Sequence, residues 1–120
     1  MPASHRLEVK EVDGSTVVHF CEKQITDPLE IEELGRELYR LLEEGNCSHL
    51  LLDFSAVEFL SSSALGKLLS LNHKAKLRQA KLRLCGIRPE IMEVFHICHL
   101  DRVLDICDTQ ADALASFQAG

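Results

Sequence analysis

Along the chain, short apolar bursts alternate with longer segments whose apolar residues recur every three or four positions, the pattern of strands separated by helices. Leu7 to Val12 alternates, with Leu7, Val9 and Glu11 in one register, and runs into Asp13-Gly14, a two-residue hairpin signal. Ser15 to Cys21 is then the returning strand of an N-terminal hairpin. Thr26-Asp27-Pro28 marks a helix start, with a capping side chain ahead of a first-position proline. Glu30, Glu32 and Glu33 fall in its first turns, where the helix dipole favours acids. Ile31, Leu34, Leu38, Leu41 and Leu42 make one apolar stripe, and Gly45-Asn46 supplies a left-handed end.

Leu50 to Phe54 reads as a strand, followed by a loop that turns Val57 and either Phe59 or Leu60 inward. Three serines, Ser61, Ser62 and Ser63, then open a helix running from about Ser62 to Gln79. Its inward residues are Leu65, Leu68, Leu69 and Ala75, while Lys67, Lys74, Lys76 and Arg78 face out or decorate the last turns. Leu82, Leu84 and Cys85 form the next strand. Pro89 opens a third helix with Ile91, Val94, Phe95 and Cys98 on its stripe. Val103 to Ile106 is a last short strand, and Asp108-Thr109 caps a C-terminal helix bearing Ala113, Leu114 and Phe117.

The predicted order is ββαβαβαβα. Strands separated by helices need crossover connections, so the later strands should be parallel, with the antiparallel hairpin at one side of a mixed sheet. The 120 residues fit one α/β domain, 1–120, with about four helices. Only 5% of residues are aromatic against 46% apolar overall, so the core must be mostly aliphatic.

Charge narrows the function classes. A formal net charge of −6 argues against binding a phosphate backbone, which needs a basic face. No apolar run approaches the ~20 residues that span a bilayer, and the N-terminus has no apolar signal region. Cys21, Cys47, Cys85, Cys98 and Cys107 are odd in number and widely spaced, so they read as reduced core thiols in a cytoplasmic protein.

Candidate chemistry concentrates at the serines. Their simplest role is capping, since a serine oxygen accepts from the first, otherwise unpartnered N–H groups of a helix. The sharper role is phosphate acceptance, because a helix N-terminus accommodates an added phosphate. His96, Cys98 and His99 offer too few ligands for a metal. Neither Cys47 with His49 nor Cys98 with His99 makes a catalytic dyad, because sequence neighbours point apart. Gly35, Gly45, Gly66 and Gly86 are isolated, which speaks against a nucleotide loop. The acids Glu30, Glu32, Glu33, Glu37, Glu43 and Glu44 read as a solvated helix face. Lys67 sits against the dipole preference, either as a surface lysine snorkelling from its helix or as a contact for an acidic partner or a phosphate on Ser62.

The string Asp53-Phe54-Ser55, Val57, Phe59-Leu60-Ser61-Ser62-Ser63-Ala64-Leu65-Gly66 resembles the signature of STAS domains, in particular the bacterial anti-sigma factor antagonists. The resemblance extends over nearly the whole chain, including Lys81 to Glu90. In that family an Asp-Ser-Ser/Thr-Gly-Leu-Gly segment carries a serine phosphorylated by a kinase that is also the anti-sigma factor. Here Ser61 stands in place of the Asp and Ala64 in place of the first Gly. Matching positions implies Ser62 as the acceptor, with Ser61 or Ser63 as alternatives. It also implies a partner surface of Ser61, Ser62, Ser63, Ala64, Leu65, Gly66 and Lys67. The function implied is a non-catalytic, phosphorylation-regulated interaction switch, without metal or cofactor, that binds an anti-sigma factor/serine kinase. The alternative is a constitutively docked, unphosphorylated STAS subunit of a lipid-transport or stress-signalling complex.

Overall fold

A computed structural model describes residues 7–44 and 47–119. Its main sheet takes strands β1 (Leu7–Val12), β2 (Ser15–Phe20), β4 (His49–Asp53), β6 (Lys81–Cys85) and β7 (Asp105–Cys107) in the order β1-β2-β4-β6-β7. Two short strands, β3 (Gln24–Ile25) and β5 (Phe59–Leu60), form a separate parallel pair. The helices are α1 (Pro28–Glu44), α2 (Ser62–Leu77), α3 (Pro89–Ile97) and α4 (Gln110–Ala119), with a 3-10 turn at Leu100–Arg102. Apart from the β3–β5 pair and the 3-10 turn, this is the order expected from the sequence.

β1 and β2 are antiparallel, and every other neighbour in the main sheet is parallel. The hairpin turns at Asp13 and Gly14, both at positive φ (53° and 81°), the geometry that suits the twist of the flanking strands. Leu50, Leu51 and Leu52 are all fully buried, because β4 is central and its sheet is covered on both faces. One face joins Val18, Leu50, Leu52, Leu82 and Leu84 to the apolar sides of α1, α2 and α3. On the other, Val17, Leu51 and Cys85 lie under Ala113 and Phe117 of α4.

Local signals account for most helix starts. Asp27 Oδ1 accepts the Leu29 N–H at 3.1 Å, and Thr109 Oγ1 accepts the Asp112 N–H at 3.1 Å. The α1 stripe buries Ile31, Leu34, Leu38 and Leu42, with Leu41 half-buried. The proposed Gly45-Asn46 cap lies outside the described residues.

Several expectations need correction. Val103 does not begin the last strand: it is 48% exposed after the 3-10 turn, and β7 starts at Asp105. His99, in the left-handed region at φ 60°, ends the helical path, so Cys98 is exposed instead of continuing the α3 stripe. Val94 on the same helix and Val9 on β1 are likewise 42% and 47% exposed. Cys21 is exposed too, and only Cys85 of the five thiols is fully buried. On α2 the burial centres on Ala64, Leu68, Leu71, Asn72 and Ala75, while Leu65 and Leu69 are only half-buried. Asn72, polar and buried, is tolerated because its amide donates to the Val103 carbonyl at 3.3 Å.

Candidate functional site

The three serines occupy three different positions at the start of α2. Ser61 is the N-cap, in extended conformation (φ −83°, ψ 166°), and its Oγ accepts the Ala64 N–H at 3.2 Å. Its carbonyl accepts the Leu65 N–H at 3.1 Å, the first bond of the helix. Ser62 and Ser63 are the first two helical residues, and both are exposed. Capping thus falls to Ser61, which leaves the Ser62 hydroxyl facing solvent among the helix's free N–H groups. Ser61→Ala is expected to cost about 1 kcal/mol in urea denaturation, against a few tenths for Ser62→Ala.

The approach to the serines is held in place by the β3–β5 pair. Gln24 pairs with Phe59 and Ile25 with Leu60. The Lys23 carbonyl accepts from the N–H groups of Glu58 (2.7 Å) and Phe59 (3.1 Å), and the Ile25 carbonyl accepts from Ser61 at 3.1 Å. Upstream, Asp53 Oδ1 accepts the Ser55 N–H at 2.9 Å, and the Phe54 carbonyl accepts from Val57. Val57 is buried as expected. Of the two candidates after it, Leu60 turns inward and Phe59 stays 56% exposed.

The remaining residues of the expected partner surface are not equivalent. Ala64 is buried beneath α2 and Leu65 is half-buried. Gly66 is exposed, and a Cβ there would meet nothing within 4 Å. Lys67 reaches toward α1: its Nζ lies 3.1 Å from Glu32 Oε2. Its stem crosses Gly35 so closely that a Cβ on Gly35 would come within 2.6 Å of Lys67 Cδ. With Lys67 about a third exposed and Glu32 more than half, this ion pair contributes at most about 1 kcal/mol.

Two apolar side chains stand exposed near the serines: Leu29, which escaped the sequence reading, and Phe59, the one of the pair Phe59 and Leu60 that does not turn inward. Leu29, 76% exposed, lines a groove between α1 and α2 together with Ser63, Gly66 and Lys67. Phe59 lies next to the serines on their N-terminal side. Leu29 stands off the Ile31, Leu34, Leu38 stripe, and that displacement was the available signal. Elsewhere, His96 Nδ1 contacts Asp101 Oδ2 at 2.7 Å, so that imidazole is engaged by a carboxylate. No group of three His, Cys, Asp or Glu among the described residues could hold a metal ion. No helix among the described residues is long and apolar enough to cross a membrane.

Comparison with known proteins agrees with this architecture. The family model of the STAS domain matches residues 6–113. BtrV of Bordetella bronchiseptica, named as an anti-sigma factor antagonist, is 24% identical over 113 residues, 94% of this chain and 95% of that protein. The crystal structure of an anti-sigma factor antagonist from Mycobacterium paratuberculosis is 25% identical, with a TM-score of 0.80 over 92% of this chain and 91% of that one. An anti-sigma-factor antagonist (STAS) domain protein from Planctomyces limnophilus is 24% identical, with a TM-score of 0.78 over 92% of this chain and 95% of that one. With a family match over most of its length and the same arrangement of sheet and helices, the chain belongs to the STAS domain family.

Proposed function

We propose that the protein is an anti-sigma factor antagonist: a single, non-catalytic STAS domain of the cytoplasm that binds an anti-sigma factor and is switched by phosphorylation of Ser62. The observation that carries this reading is the division of labour at the start of α2. Ser61 serves the fold, whereas Ser62 is exposed and surrounded by surface the fold does not use. Exposed Gly66 supports a partner contact. A glycine inside a helix costs about 1 kcal/mol relative to alanine, and no neighbour within the chain requires it. Its bare backbone suits close approach by another molecule. Exposed Leu29 and Phe59 supply the apolar contact that interfaces favour at their centre.

In the unmodified state the surface of Ser62, Ser63, Leu65 and Gly66 engages the anti-sigma factor, which then releases its sigma factor. Phosphate on Ser62 adds a charge of about −1.5 to −2 at that surface. The helix dipole favours that charge, so the fold is undisturbed while the partner is repelled. Lys67 contacts Glu32 in the unmodified protein. The kinase is the anti-sigma factor itself.

The test is capture of partners from the source cell by the tagged chain, followed by intact-mass and peptide analysis. A kinase-like partner, and phosphate mapped to Ser62, are expected. Phosphate confined to Ser61 or Ser63, or stable capture of a transport complex by an unphosphorylated chain, would replace this reading.

A further inference from the structure

A row of polar and sulfur side chains crosses the carboxyl ends of the parallel strands on the face covered by α4. His19 pairs in register with Asp53, Asp53 with Cys85, and Cys85 with Cys107. His19 Nδ1 and Asp53 Oδ2 are 3.5 Å apart, and Asp53 Oδ1 already accepts the Ser55 N–H. The acid is therefore occupied in holding the loop. The two thiols at the other end of the row have no such task. Both belong to the small cluster formed with Ala113, Phe117 and Leu114, so they project from the same face of adjacent strands.

We propose that Cys85 and Cys107 are an oxidisable dithiol, closing to a disulfide across the β6–β7 ladder when the protein meets a low-molecular-weight disulfide. In-register residues on neighbouring strands are separated by roughly 4.8 Å. That lies inside the window of roughly 4.4–6.8 Å between Cα atoms that disulfides occupy. Bridging needs the two Cβ atoms to close slightly. β7 can supply this movement because it is three residues long, sits at the sheet edge and has a neighbour on one side only.

The environment fixes the order of steps. Cys85 is fully buried, and burial first, then the nearby Asp53 carboxylate and Cys107, push its thiol up to about 12. It is a poor first nucleophile, since the thiolate is the attacking form. Cys107 is only half-buried. The Cys107 thiolate attacks one sulfur of oxidised glutathione and expels one glutathione thiolate, leaving a mixed disulfide. Cys85 then attacks the Cys107 sulfur, and its proton passes to the second glutathione, which leaves as a thiol. Two protein thiols are oxidised and one glutathione disulfide is reduced to two thiols. This inference is independent of the anti-sigma reading.

The experiment uses the Cys21→Ser/Cys98→Ser protein, which removes the exposed thiols and keeps Cys47, Cys85 and Cys107. The folded chain is incubated with oxidised glutathione and quenched in acid, and its remaining thiols are alkylated after unfolding. Two of the three thiols should be lost per chain. Peptide mapping should find Cys85 joined to Cys107 without retained glutathione, and dithiothreitol should restore both. Adding Cys85→Ser should trap glutathione on Cys107. The proposal is overturned if Cys85 and Cys107 both remain alkylatable, if Cys107 keeps its glutathione with Cys85 present, or if either joins Cys47. The peptide map of the Cys85-containing chain decides the question even if Cys85→Ser does not fold.

Discussion

Ser62→Asp is expected to weaken binding of the anti-sigma factor by roughly tenfold or more, equivalent to ~1.4 kcal/mol, while Ser62→Ala binds as the parent does. The two substitutions separate loss of a hydroxyl from gain of a charge. Alanine at this position removes no structural hydrogen bond, because the cap is made by Ser61 and the Ser62 side chain points outward. Aspartate places a carboxylate in the first turn, where it meets the positive end of the helix dipole. Its melting temperature should therefore equal or slightly exceed that of the parent, so any affinity loss belongs to the interface. Calorimetric titration with the captured partner, beside thermal unfolding of all three proteins, makes the measurement. Equal affinities with unchanged stability would assign the chain to the constitutively docked alternative.

Phe54→Ala should destabilise the fold by about 3–5 kcal/mol and lower the melting temperature by at least about 10 °C, whereas Phe59→Ala costs no more than about 0.5 kcal/mol. Phe54 is 1% exposed, at the end of β4, with its ring centroid 4.7 Å from that of Phe20. Its N–H donates to the Cys85 carbonyl at 2.9 Å and its carbonyl accepts from Val57. Truncation leaves a cavity under the loop that carries the serines, and the bonded backbone restricts collapse into it. Phe59, five residues on, is more than half exposed. In guanidinium unfolding the two variants should differ in midpoint by most of the Phe54 effect. A small change for Phe54 would show that the loop repacks around the missing ring. Partner binding should reverse the ranking, since Phe59 is exposed three residues before Ser62 and Phe54 does not reach the surface.

Most of the architecture was legible because its signals are local. Asp13-Gly14, Asp27-Pro28 and Thr109 each specify a turn or a helix start through their own side chain or backbone. The stripe of α1 identifies its buried face by period, and the unbroken apolar run of β4 marks a strand buried on both faces. The serine segment was legible as a helix start, but which serine caps was settled only by the geometry at Ser61. The misplacements share a different cause. Cys98 and Val103 flank the left-handed turn at His99, which no apolar period announces, and the choice left open between Phe59 and Leu60 is decided by pairing with the distant β3 strand. The two-residue strands β3 and β5 carry no period at all, and their pairing spans more than thirty positions of sequence. The Lys67–Glu32 pair is similarly non-local, which is why that lysine read as an open question.

The β3–β5 pair has a consequence for the kinetics of association. Because Lys23 and Ile25 already hold the backbone of Glu58, Phe59 and Ser61, a partner bound at the proposed surface would cost the chain little conformational entropy. The ordering cost of complex formation then falls on the other molecule. Encounter rates should respond to ionic strength more than to any opening motion of this domain, and the amides of Glu58, Phe59 and Ser61 should exchange slowly with or without a partner.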